Sequence, residues 1–235
     1  MRVATAGFLH TAQTHIETFE SLVHGLDATV RTRHLVDASL LADARSRGGV
    51  DADLRGRLLE RLVEAADGAG AVLCTCSTIG EAAEGLAAQV GVPVLRVDRP
   101  MAEEAVRRGG RIAVVAAVDS TIAPTLRLLS AAAAAAGTRV DLRPAPCPRA
   151  WPLFEAGDLN AYLAVIEGHV RSLEGAADVI VLAQASMAPV ADRRAAGPTP
   201  VLASPGPAAA ALVRAIAGRG ISVDRAPRRP IWSGR

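Results

Sequence analysis

The chain contains no lysine; all 26 of its basic residues are arginine. That absence removes whole classes of chemistry. Pyridoxal-phosphate catalysis needs a lysine Schiff base, amine-type aldolases need a lysine nucleophile, and a phosphate-binding loop needs its own lysine. A GC-rich genome that favours arginine codons is the simplest origin of the bias, and the exclusion holds whatever the origin. Cysteine is scarce too: Cys74, Cys76 and Cys147 are an odd number in a large domain. This argues against a disulfide framework and suits a reducing cytoplasm. No apolar run approaches the ~18 residues of a membrane span, and Met1 leads straight into "RVATAGF" instead of a charged leader, so an unexported cytoplasmic protein is expected. With 26 basic against 24 acidic residues and no block of either sign, nucleic acid is not an expected partner.

What the sequence does have is repetition. Half of its 235 residues are apolar, enough for a sizeable core, and the apolar runs recur in pairs. "RVATAGF" (2–8) returns as "RIAVVAA" (111–117), "TVRTRHLV" (29–36) as "TRVDLRPA" (138–145), "AVLCT" (71–75) as "VIVLA" (179–183), and "VPVLRVD" (92–98) as "TPVLASP" (199–205). The offset holds at about 108 residues throughout, the mark of an internal duplication. Between the second and third runs of each copy lies an amphipathic helix. Leu58, Leu59, Leu62 and Val63 share one face in the first, and Leu159, Leu163, Ile166 and Val170 in the second. Strands alternating with helices of this length call for a parallel sheet covered on both faces. The expected fold is therefore α/β with two pseudo-symmetric lobes, one of residues 1–98 plus about 206–235 and the other of 99–205, with a ligand in the cleft between them.

The segments at the carboxyl ends of the strands are "GFLHTAQTH", "CTCSTIG", "AAVDSTIAPT" and "LAQASMAP". They are small, hydroxylic and amide-rich. A loop that runs at once into a helix presents unpaired backbone N–H groups and a positive dipole end, so "CSTIGEAAE" is formed to hold a carboxylate. The same setting is expected to lower the pKa of the Cys76 thiol. Cys74 and Cys147 read as packing residues. The C-x-C pair has no second Cys or His pair at ligand spacing, so no metal is expected.

A strand running into "TCST", a duplicated α/β unit and a second strand running into "LAQASMA" together resemble the Asp/Glu racemase superfamily. That group also includes hydantoin racemases, maleate isomerases and arylmalonate decarboxylases. The resemblance covers essentially the whole chain. It implies cofactor-independent chemistry at the carbon beside a carboxylate, performed by two cysteines, one after the third strand of each lobe. By position the first falls on Cys76, with Thr75, Ser77 and Thr78 around it as carboxylate-binding candidates. The second falls on Gln184, where an amide cannot exchange a proton near neutral pH. The internal repeat places the same gap at the same position.

The resemblance therefore implies a one-thiol enzyme acting on a small amino, hydroxy or dicarboxylic acid, with Cys76, His10 and Gln184 as catalytic candidates. Asp119, Ser120, Thr121, Ala185 and Ser186 join the substrate-binding set. His15 and Asp119 are further options for a second base. A one-thiol decarboxylase or lyase, and a carboxylate-binding protein without chemistry, remain alternatives, and both monomer and homodimer remain open.

Overall fold

The structure, a computed structural model, describes residues 4–220. Residues 2 and 3 of the first expected strand and residues 221–235 of the first expected lobe lie outside the described residues. The apolar runs form eight strands in two sheets. In the first half β1 (Thr5–His10), α1 (His15–Leu26), β2 (Arg31–Val36), α2 (Ala38–Ser46), α3 (Ala52–Ala66), β3 (Ala71–Cys74), α4 (Ser77–Gly85), α5 (Ala87–Val90) and β4 (Val94–Arg96) follow one another, and α6 (Arg99–Arg108) leads away. The second half runs β5 (Gly110–Ala116), α7 (Asp119–Ala135), β6 (Val140–Pro146), α8 (Trp151–Glu155), α9 (Leu159–Leu173), β7 (Val179–Leu182), α10 (Ala188–Arg193), β8 (Val201–Ala203) and α11 (Pro205–Gly220).

Both sheets are parallel and have the same order, β2-β1-β3-β4 and β6-β5-β7-β8. This is a two-lobe α/β fold. Alternate residues of each central strand enter opposite cores, as a doubly covered sheet requires. Leu9, Val72 and Cys74 pack with Leu54, Leu58 and Leu62 of α3, while Ala6, Phe8, Ala71 and Leu73 pack with Phe19 and Val23 of α1. The last helix, α11, adds Ala208, Ala209, Leu212 and Ile216 to that second core. In the other lobe α9 covers one face with Tyr162, Ile166 and Val170, and α6 and α7 cover the other with Met101, Ala105, Leu128 and Leu129.

The duplication extends to helix starts. Asp51 accepts a hydrogen bond from the Leu54 amide at 2.8 Å, and Asp158 accepts one from Ala161 at 3.0 Å, each satisfying an amide at the head of its amphipathic helix. Two residues expected on the buried faces are not there. Val63 is 48% and Leu159 43% exposed, because a single helix turn against a sheet buries a narrower stripe than the apolar pattern spans. Gly7 marks the tightest contact of α3 with the sheet: a Cβ there would lie 2.4 Å from the Ala65 carbonyl oxygen. The two lobes meet chiefly where α4 packs against α7.

Candidate active site

Strand β3 stops at Cys74 and α4 begins at Ser77, so Thr75 and Cys76 form a two-residue link at the head of a helix. Cys76 is extended (φ −111°, ψ 114°), and this turns its side chain across the first turn of α4. Hydrogen bonding from the Thr11 hydroxyl, the Ile79 and Thr78 amides and the Thr78 hydroxyl favours the thiolate. Burial acts the other way and prevails, so the Cys76 thiol is pushed above its ordinary value. The sequence-based expectation of a lowered pKa is thus corrected. Only 7% of Cys76 is exposed, and the cost of desolvating the charge exceeds what the helix head returns. Cys74 points into the core, its thiol pushed up to about 12 by burial, and sits 3.9 Å from the Cys76 carbonyl oxygen. Cys147 is buried in the second lobe.

Cys76 lines a cavity of about 40 Å³ between the lobes, together with Thr11, Thr75, Ser77, Thr78, Thr121 and Gln184. His15, Ala185, Ser186, Trp151 and Phe154 complete much of its wall. The Thr78 and Thr121 hydroxyls lie 3.1 Å apart and tie α4 to α7. Ser186 bonds the Tyr162 hydroxyl at 2.8 Å. Ser77 is 5% exposed, and its hydroxyl has no hydrogen-bond partner among the described residues. Gln184 has a specific occupation: its Oε1 accepts from the Ala117 amide at 2.6 Å and the Val118 amide at 3.1 Å, at the head of α7. This orientation leaves the Nε2 donors without an acceptor among the described residues. Trp151 and Phe154 stack at 5.0 Å, and Arg45 of the first lobe sits 5.2 Å over the Trp151 ring while pairing with Glu155 at 3.1 Å. That contact holds α8 over the cleft.

Six wall residues were not among the sequence candidates: Thr11, Ala12, Leu41, Val118, Trp151 and Phe154. Thr11 stands in the quoted loop "GFLHTAQTH" beside His10, and Trp151 and Phe154 are conspicuous in a chain with 3% aromatic residues. Other candidates lie elsewhere. Asp119 is exposed and does not line the cavity. Ser120 lines a separate cavity of about 340 Å³ behind Thr78, with Arg55, Glu81 and Arg127. His10 belongs to β1, not to a loop, because β1 is central and pairs through Val36 on one side and Cys74 on the other. It sits one layer beneath the cavity, fully buried.

A profile of the Asp/Glu/hydantoin racemase family matches residues 10–213. The chain belongs to this family. Solved structures agree on the fold. Glutamate racemase from Bacillus anthracis superposes with a TM-score of 0.71 at 16% identity, covering 95% of this chain and 85% of that one. Aspartate racemase from Picrophilus torridus gives 0.67 at 11% identity, with 91% and 94% covered. Allantoin racemase from Pseudomonas fluorescens gives 0.53 at 18% identity, with 98% and 100% covered. Among curated proteins no sequence matches significantly. Membership of the racemase family supports an isomerase-type function.

Within this family member, the hydrogen bonds around His10 fix its protonation. Thr75 Oγ1 donates to the Leu9 carbonyl oxygen at 3.3 Å, so it accepts from His10 Nδ1 at 2.9 Å. His10 Nε2 then accepts from His34 Nδ1 at 2.9 Å, which leaves the His34 Nε2 lone pair without a partner among the described residues. Burial, then the neighbouring His34 and His15, lower the His10 pKa from 6.5 to about 3. His10 is therefore a neutral strut that holds Thr75, and the geometry gives it no path to a ligand.

A pH dependence follows. The unfolded chain takes up a proton at His10 near pH 6.5 and the folded chain only near about 3, so this stability is complete above 6.5 and is lost as pH falls through that window. At pH 5 the expected loss from His10 is about 2 kcal/mol relative to pH 7. Urea unfolding of the wild type and His10→Gln at the two pH values checks it, the variant showing the smaller difference.

Proposed function

We propose that this protein transfers a proton at the carbon next to the carboxylate of a small carboxylic acid, with Cys76 as its one catalytic thiol. The observation that carries this reading is the setting of Cys76 at the head of α4. The thiol lies in a small cavity whose other walls offer hydroxyls, amides and Gln184 and, among the described residues, no carboxylate or arginine. A carboxylate would be held by the free Ser77 hydroxyl and the Gln184 Nε2 donors, with the Thr11 and Thr78 groups stabilising the sulfur whenever it is anionic. In exchange, the Cys76 thiolate takes the α-proton, the electron pair passes into the carboxylate as an enediolate, and the same thiol returns a proton to the same carbon. Gln184 supplies no second proton, so transfer is confined to one face.

A second reading is favoured by the resting state of the thiol. Burial keeps Cys76 protonated at neutral pH, which suits a proton donor. In a decarboxylase the C–C bond to a second carboxylate breaks, CO₂ leaves, the pair remains on the α-carbon as an enediolate, and the Cys76 S–H protonates it. Incubation of candidate acids in deuterated buffer, followed by NMR and CO₂ release, tests both readings. Deuterium at the α-carbon is expected, by exchange under the first reading or with loss of CO₂ under the second. A carboxylate that binds with neither outcome would mark a binding protein without chemistry.

A further inference from the structure

The thiol cavity is too small for a whole substrate. About 40 Å³ holds about three water-sized groups at roughly 10–15 Å³ each, the size of a carboxylate and its α-carbon. It shares His15, Phe154, Ala185 and Ser186 with a groove of about 680 Å³ between α1, α8, α9, α10 and the start of α11. The cavity with Arg55 and Arg127 shares only Thr78 with the thiol cavity, so the groove, with four shared wall residues, is the broader continuation for whatever is attached to the α-carbon. Its walls include Leu22, Phe154, Leu159, Leu163 and Val201, and among the described residues no arginine lines it or the thiol cavity. The one charged side chain among the described lining residues is Asp192, an acid. The head of α11 also opens on the groove, but Pro205 and Pro207 have no N–H and the Ala208 amide already donates to the Ser204 carbonyl. Gly206 alone keeps a free amide there, so this helix end offers an anion little. Leu159, 43% exposed where its helix pattern called for burial, has its place here as a groove wall.

We infer that the substrate carries no carboxylate beyond its α-carbon and has an apolar arm, the α-carboxylate seated at Cys76 and the arm in the groove between the lobes, so that acids with a distal carboxylate are rejected. Aspartate and glutamate, for which two of the similar solved structures are named, have such a second carboxylate. This inference rests on the proposed carboxylate site at Cys76. A distal carboxylate there loses hydration and meets the exposed Asp192 and no cation among the described residues, whereas an alkyl group of the same shape gains from burial.

The test uses matched probes: succinate against 4-methylpentanoate, and glutarate against 5-methylhexanoate, each pair differing only in an isopropyl group in place of the distal carboxylate. Binding is measured by calorimetry on the full chain and, separately, on Cys76→Ser, so that the result does not depend on turnover. The expected preference is at least about tenfold for the apolar acid of each pair. Leu159→Arg, which places a cation in the groove, is expected to narrow or invert it. Equal or tighter binding of the dicarboxylates overturns the inference, as does failure of either apolar acid to bind below about 10 mM. If a second copy of the chain covered the groove instead, Leu159→Arg would dissociate a dimer without changing the preference, which also overturns it. Should the apolar acids bind as expected while no acid exchanges its α-proton, the substrate inference stands and the one-thiol chemistry fails.

Discussion

Cys76→Ala is expected to lower turnover by about 10²–10⁴-fold while leaving the Michaelis constant within a few-fold of wild type. The reason for this split is the division of labour in the cavity. On the proposed reading the proton is carried by sulfur alone, whereas the carboxylate is held by Ser77 and Gln184, neither of which the substitution removes. Stability should fall by about 1 kcal/mol or less, since one buried sulfur atom is lost from a site that already borders a cavity. Cys76→Ser should be nearly as inactive, because a hydroxyl in the same buried place gives up its proton far less readily than a thiol. Steady-state kinetics on the two variants, with thermal unfolding beside them, check the prediction. A purely structural cysteine would give the reverse pattern, a lower melting temperature with the surviving folded enzyme fully active.

Much of this was legible in the chain, for physical reasons that differ by residue. The two lobes could be read because a strand buried on both faces is a short continuous apolar run, and four such runs recur at one offset. Cys76 could be read because the change from apolar to hydroxylic residues at "CTCST" marks a strand end meeting a helix. The direction of its pKa could not. Local sequence shows the helix head that favours a thiolate, but the burial that opposes it comes from residues distant in the chain, Leu40 and Ala44 of α2 and Leu54 and Leu58 of α3, which share a core with Cys76. The sequence places His10 in a loop because "FLHTAQTH" loses its apolar pattern at the histidine. Pairing with Val36 of β2 holds it in the ladder nonetheless, and its polarity is absorbed by Thr75 and His34. Gln184 was recognisable as the wrong residue for proton transfer. That its amide oxygen anchors the start of α7 needed coordinates.

Asp98→Ala is expected to destabilise the protein by about 3–5 kcal/mol. Arg96 is 3% and Asp98 0% exposed, and they form a two-point pair with Nε–Oδ1 at 2.7 Å and Nη2–Oδ2 at 3.0 Å. Arg96 pairs in the sheet beside Cys74, directly under α4: a Cβ on Gly80 would lie 3.3 Å from Arg96 Cβ. Removing the carboxylate leaves a guanidinium buried without its partner, and the disturbance falls on the helix that presents Cys76. The double variant Arg96→Met with Asp98→Leu should recover most of the loss, because no charge is then stranded. The exposed pair of Arg127 with Glu81 is the contrast, and Glu81→Ala should cost well under 1 kcal/mol. Urea unfolding of the three variants measures all of these. A loss below 1 kcal/mol for Asp98→Ala would mean that the pair does not support the floor of the site.

The central claim is that one thiol works on one face of one carbon, and the stereochemical course of the reaction in deuterated water tests it most directly. An enantiomerically pure α-amino or α-hydroxy acid with an apolar side chain is incubated with the wild-type enzyme, and α-hydrogen content and configuration are followed together by NMR and chiral chromatography. The expected result is deuterium at the α-carbon with the starting configuration kept or, where a geminal dicarboxylate loses CO₂, a single enantiomer carrying one deuterium. Rapid inversion, with deuterium and racemisation advancing at the same rate, would contradict the account, because it requires a second proton carrier on the face where Gln184 stands.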